Sequence, residues 1–143
     1  ETKKATKSQA AELGVPTGST VFQIYNKLGL NKKFYIVDKI IIPQDKFPGL
    51  TEEIFRGRTN TVYNLYQNKF NIFITNCSEK LKAISANEKI SKLLNIPSNA
   101  PILKINRVGQ TYNNVTIELR TSYVHTIDID YIHSQNSTFG EAI

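Results

Sequence analysis

The chain has 143 residues, a formal charge of +6, 40% apolar residues and one cysteine, Cys77. One cysteine excludes an internal disulfide and a multi-cysteine zinc centre. No apolar run approaches the roughly 20 residues of a membrane-spanning helix, and the length suits one domain with a real core. There is no methionine, which points to a fragment or a processed form. The charge invites a nucleic-acid reading. However, the basic residues are mostly lysine, and the four arginines (Arg56, Arg58, Arg107, Arg120) are scattered rather than clustered on one element. Ordinary solubility charge is the better account.

In chain order, residues 1–8 are polar and carry no apolar period, so they read as the end of a linker. Gln9 to Leu13 reads as the last turns of a helix stopped by Gly14 and Pro16. Thr20 to Leu28 and Phe34 to Ile42 read as strands joined by a turn over Gly29–Lys33, the second strand ending at Pro43. Thr51 ahead of Glu52 and Glu53 has the form of a helix N-cap. Asn60 or Thr61 caps a second helix whose apolar face carries Val62, Leu65, Tyr66 and Phe70. Ile72 to Ile84 reads as a long strand, and Asn87 caps a helix carrying Ile90, Leu93 and Leu94. Ile102 to Tyr112 and Val115 to Val124 form a second hairpin around Asn113-Asn114, whose side chains tolerate positive φ. The order predicts an antiparallel α+β fold, a sheet flanked by helices.

Leu13 to Ile24 aligns without gaps onto Leu94 to Ile105, 81 positions later. Each copy is a helix end, a proline turn and the first strand of a hairpin. The second strands carry Val37-Asp38 and Ile117-Glu118, so a duplication would place Asp38 and Glu118 in pseudo-equivalent positions beside a cleft between the halves.

The stretch Ala11-Glu12-Leu13-Gly14-Val15-Pro16-Thr17-Gly18-Ser19-Thr20-Val21-Phe22 resembles the opening of the UTRA domain, the effector-sensing part of HutC-type GntR-family transcription regulators. Ile42-Pro43 and Phe47-Pro48-Gly49-Leu50, Thr61-Val62-Tyr63, Leu94 to Pro97, Ile102 to Arg107 and Ile117-Glu118 follow in the order of that family. The resemblance covers about residues 9–128. It implies a chorismate-lyase-like fold with a small-molecule pocket. It also implies a winged helix-turn-helix domain ahead of this one for DNA contact, of which nothing appears in these residues. Members with sugar-phosphate-type effectors carry an Arg-x-Arg pair on the first strand. Here those positions are Asn26 and Leu28, with Lys27 between them, which argues against a phosphorylated effector. The second-strand carboxylate matches Asp38, the helix start Thr61 and Tyr63, and the late glutamate Glu118. The late tyrosine falls on Val124, next to Tyr123.

Asp38 shares a strand face with Phe34, Ile36, Ile40 and Ile42, where a carboxylate needs a partner or a pocket. Glu118 shares its face with Thr116, Arg120 and Ser122, a face that read alone is solvated. Arg107 suits either an anionic ligand or a salt bridge to Glu118 or Asp38. Thr61 is an N-cap candidate and Tyr63 a core-edge one, although a helix N-terminus can also receive an anion. The sequence contains no P-loop, no paired thiol nucleophile at Cys77 and no acidic partners for His125 and His133, so neither a metal nor a cofactor is implied. Asn76, Asn114 and Asn136 begin sequons that matter only in a secreted protein.

The expected protein is therefore a tail at 1–8, a ligand-sensing domain at 9–134 and a C-terminal tail at 135–143. It is a cytoplasmic, homodimeric bacterial regulator, with a pocket formed by Asp38, Thr61, Tyr63, Arg107, Glu118 and Tyr123. A sugar, amino sugar or related metabolite is the expected effector, and DNA binding resides in the missing domain. The alternative is a chorismate-lyase-like enzyme acting on a small carboxylate. Repression or activation is left open.

Overall fold

A computed structural model describes residues 1–132; the expected tail at 135–143, His133 and the sequon at Asn136 lie outside the described residues. The elements are β1 (Thr2–Lys4), α1 (Lys7–Leu13), β2 (Thr20–Leu30), β3 (Lys33–Pro43), α2 (Glu52–Arg56), α3 (Val62–Phe70), β4 (Asn76–Ser85), α4 (Glu88–Leu94), β5 (Pro101–Gln110) and β6 (Thr116–Val124). The six strands form one antiparallel sheet in the order β1-β2-β3-β6-β5-β4. This is the expected antiparallel α+β architecture.

Each helix starts where a side chain can accept an orphan backbone N–H: Thr6, Thr51, Thr61 and Asn87 accept from Gln9, Ile54, Asn64 and Ile90. Thr6 and Gln9 form a reciprocal capping box, so α1 begins at Lys7, two residues before its first predicted position. The polar segment ahead of it adds a short edge strand. All three residues of β1 are exposed, which is why no apolar period marked it. The first hairpin is tighter than expected. Asn31 and Lys32 both take positive φ, giving a two-residue turn. Gly29 is required at the bulge before it, because a Cβ there would lie 2.0 Å from the Lys33 carbonyl oxygen. Ile72 to Thr75 is not strand; Ile72 and Ile74 instead pack against the core under α3.

Strand alternation divides the core between two faces of the sheet. On one face, α2 and α3 cover Phe22, Ile24, Ile40 and Ile42, with Phe47, Phe55, Leu65 and Tyr66 filling the gap. On the other, α1 packs against Val21 and Ile41, and α4 against Val37 and Ile102.

The internal repeat is visible in the pairing register. Thr2 pairs with Phe22, and Ala83, 81 positions on, pairs with Leu103. Gly14 and Asn95 both end their helices in the left-handed region, so the Gly-to-Asn exchange keeps the one backbone feature required there. The second strands shift by 82, because the second hairpin loop is longer by one residue: Asn26 pairs with Asp38, and Arg107 with Arg120. The counterpart of Asp38 is thus Arg120, and that of Glu118 is Ile36. This corrects the expected Asp38–Glu118 equivalence by two residues. Because side chains alternate with period two, that slip leaves both carboxylates on the same face.

Candidate functional site

The face under α2 and α3 carries a row of polar residues across the middle of the sheet. Asn26, Asp38 and Ser122 are neighbours on β2, β3 and β6; one step along lie Arg120, Arg107 and Glu79 on β6, β5 and β4. Glu118 is 0% exposed and Asp38 only 2%. Buried carboxylates are costly unless paired, and Arg120 pairs with both. Its Nε and Nη2 donate to Glu118 Oε1 and Oε2 at 2.8 and 2.9 Å, and its Nη1 lies 3.8 Å from Asp38 Oδ2. From α3, the Tyr63 hydroxyl donates to Oε1 at 3.1 Å and the Tyr66 hydroxyl to Oε2 at 2.6 Å. These four bonds use about all the acceptor sites of a carboxylate. Glu118 is therefore a keystone between sheet and helix, with its acceptor sites taken up by the protein.

The electrostatics follow from that arrangement. Burial, reinforced by the Glu118 charge, pushes the Tyr66 phenol well above its ordinary range, and Tyr63 rises for the same reasons. Burial opposes the charge on Arg120, but the Glu118 carboxylate outweighs it and holds the guanidinium above its usual value. Arg120 also lies 5.0 Å from the centre of the Tyr63 ring.

The remaining expected residues separate. Arg107 pairs with neither Asp38 nor Glu118; its Nε donates to Glu79 Oε1 at 2.7 Å. The Tyr131 hydroxyl donates to the other Glu79 oxygen. Thr61 is exposed, caps α3, and lines a separate hollow of about 290 Å³ with Gln67 and Phe73. Tyr123 packs on the opposite face, in the cluster under α4. The expected single pocket enclosing all six residues does not form: Asp38, Glu118 and Tyr63 come together through Arg120, Arg107 reaches the Tyr63 side chain from β5, Thr61 borders a hollow that Tyr63 also lines, and Tyr123 lies on the opposite face.

A cleft of about 650 Å³ opens beside this cluster between β2 and α2. Phe22, Ile24, Leu50 and Phe55 give it an apolar wall, and Asn26 and Arg58 give it a polar end. Arg58 Nη2 donates to Asn26 Oδ1 at 2.7 Å and Nη1 to the Phe55 carbonyl at 2.7 Å. Sequence reasoning missed Arg58, Arg120 and Tyr66. Two of these had a signal: Arg120 alternates onto the Glu118 face, and Tyr66 lies one helical turn after Tyr63. Arg58 lies between two helices, where no periodicity points to it.

The sequence profile of the UTRA domain matches residues 1–129. The chain belongs to the UTRA family. Among curated proteins, none matches the sequence. Among solved structures, this UTRA domain is similar to the ligand-binding domain of a protein assigned as a GntR-family transcriptional regulator from Bordetella bronchiseptica. The TM-score is 0.91 at 28% identity, covering 95% of this chain and 86% of that one. It shares the fold of the C-terminal domain of Yurk from Bacillus subtilis, with a TM-score of 0.81 at 18% identity over 94% and 92% of the two chains. PhnF from Mycobacterium smegmatis gives a TM-score of 0.80 at 20% identity, over 94% of this chain and 60% of that one. The function that follows is that of an effector-binding domain of a GntR-family regulator, the reading expected from the sequence. No helix among the described residues is long and apolar enough to cross a membrane.

Proposed function

We propose that this UTRA domain binds a small molecule in the cleft between β2 and α2 and passes its occupancy to a DNA-binding domain of the same regulator. The observation that carries this reading is the cleft itself: about 650 Å³, apolar on one wall, and ending on Asn26 and Arg58 next to the buried Asp38–Arg120–Glu118 network. Pockets of this size and make-up suit small metabolites. Asp38 does not line the cleft itself; it is buried behind Asn26, its cross-strand neighbour, and accepts from Ser122. Glu118 and Arg120 form the buried network beside the cleft and Tyr63 ties that network to α3, whereas Tyr123 lies on the opposite face of the sheet.

The finer reading is a HutC-type regulator acting as a cytoplasmic homodimer, since two-fold DNA sites call for two-fold proteins. A strict monomer in sedimentation at high chain concentration would overturn the dimer. The sugar or amino-sugar class rested on two open carboxylates; with Glu118 fully engaged, that class loses half its support. Against the enzyme alternative, the two carboxylates of the buried network are engaged by the protein itself, Glu118 by Tyr63, Tyr66 and Arg120, and Asp38 by Ser122 and Arg120. Equilibrium dialysis of the chain against pooled sugars, amino sugars, sugar phosphates, amino acids and organic acids tests the reading. It predicts that one class is retained at about one molecule per chain, unchanged on recovery. Retention of none, or recovery of a converted product, would contradict it.

A further inference from the structure

Resting on that reading, we infer that the ligand of the cleft is a small organic acid whose carboxylate docks on Arg58 and whose apolar body lies against Phe22, Ile24, Leu50 and Phe55. Three of the four arginines have a carboxylate partner: Arg56 has Glu52, Arg107 has Glu79, and Arg120 has Glu118 and Asp38. Among the described residues, Arg58 has none. Its two hydrogen bonds go to neutral oxygens, the Asn26 amide and the Phe55 carbonyl. A guanidinium carries five N–H donors, so three remain for a ligand. The group is nevertheless held in place. It stacks 4.3 Å from the centre of the Phe55 ring, and its two bonds tie α2 to β2. Asp38 and Arg120 act on it from further away with opposite signs, and burial weakens its charged form. A half-buried, oriented cation without a direct counter-ion at the end of this cleft is a preformed seat for an anion.

The rest of the cleft selects which anion. Of the other cations on its rim, Arg56 is paired with Glu52 and Lys27 sits over the Phe34 ring. One uncompensated guanidinium matches one negative charge better than the two of a phosphate monoester. The apolar wall gains from burying hydrocarbon, and the two carboxylates on the rim, Glu1 and Glu52, are already paired with Lys3 and Arg56. Carboxylate at one end and hydrocarbon at the other is the chemistry that fits.

The test titrates the chain with benzoate and hexanoate, with their neutral amides, and with glucosamine and glucose 6-phosphate, by calorimetry and thermal shift. Wild type is expected to bind at least one acid and to reject its amide. Arg58→Gln should weaken acid binding by roughly 10- to 100-fold, as loss of hydrogen bonds to a charged group does. Arg58→Lys, which keeps the charge without the fork, should fall between. Thermal unfolding of each variant without ligand shows whether its fold is intact, and Arg58→Lys gives a second reading if Arg58→Gln is damaged. Equal acid binding by wild type and both variants would overturn the inference. So would binding of glucosamine or glucose 6-phosphate with no acid bound, an outcome that leaves the sensor reading standing. Retention of no small molecule, here and in the dialysis above, would remove both.

Discussion

Glu118 shows how a single residue can look like a ligand contact in sequence and be a structural hub in space. The resemblance assigned it to the pocket, and a solvated pocket carboxylate would contribute little to folding. Fully buried, and accepting from Tyr63, Tyr66 and Arg120, it does the opposite. Glu118→Gln keeps the shape but strips Arg120 of its main counter-charge. It should cost about 3–5 kcal/mol in urea unfolding, the range for breaking one side of a buried ion pair; a loss below about 1 kcal/mol would return Glu118 to the surface role. The same hub sets an alkaline limit. Tyr63 and Tyr66 hold their protons above the ordinary phenol value of 10.0 in the fold and lose them at that value when unfolded. Their contribution to stability is therefore intact below about pH 10 and falls as pH rises past it, by about 1.4 kcal/mol per pH unit for each tyrosine. Urea midpoints between pH 9 and 11 measure this, and Tyr66→Phe should flatten the decline by about one tyrosine's share.

At the level of elements, the sequence announced most of what formed. The capping residues Thr51, Thr61 and Asn87, the Asn113-Asn114 turn and the 81-residue repeat all marked real boundaries, because each is a local backbone requirement met by a local side chain. Two features escaped for lack of such a signal. Strand β1 has no buried residue, and Ile72–Thr75 is apolar because it packs under α3, not because it pairs. Register was the least legible property. One extra residue in the second hairpin moved the counterpart of Asp38 from Leu119, at the repeat's own spacing, to Arg120, and no composition or period records a loop length's effect on pairing. For Thr61 the element decides the role. Its hydroxyl accepts from the Asn64 N–H, and it faces a hollow apart from the cleft. Thr61→Ala should cost about 1 kcal/mol of stability through the lost cap and leave ligand affinity unchanged; a tenfold affinity loss would place it back in the site.

For the whole molecule, the two halves of the sheet meet at β3 and β6, and the polar row across that seam joins both repeats to α3 through Arg120, Glu118 and the two tyrosines. The cleft is next to this seam, on the side where Arg58 links α2 to β2. A ligand seated there touches one half of the repeat and one helix layer, so it can shift the balance between two arrangements of sheet and helices only by its different affinity for each. That places the sensing event on the α2–α3 face and leaves the α1–α4 face as support. Amide and arginine Nε–H chemical-shift mapping of the labelled chain, titrated with benzoate, tests this placement most directly. The account predicts the largest changes at Asn26, Phe55 and the Arg58 Nε–H, with the α4 and Tyr123 signals unmoved. Changes centred on the α1–α4 face, or none at Arg58, would contradict it.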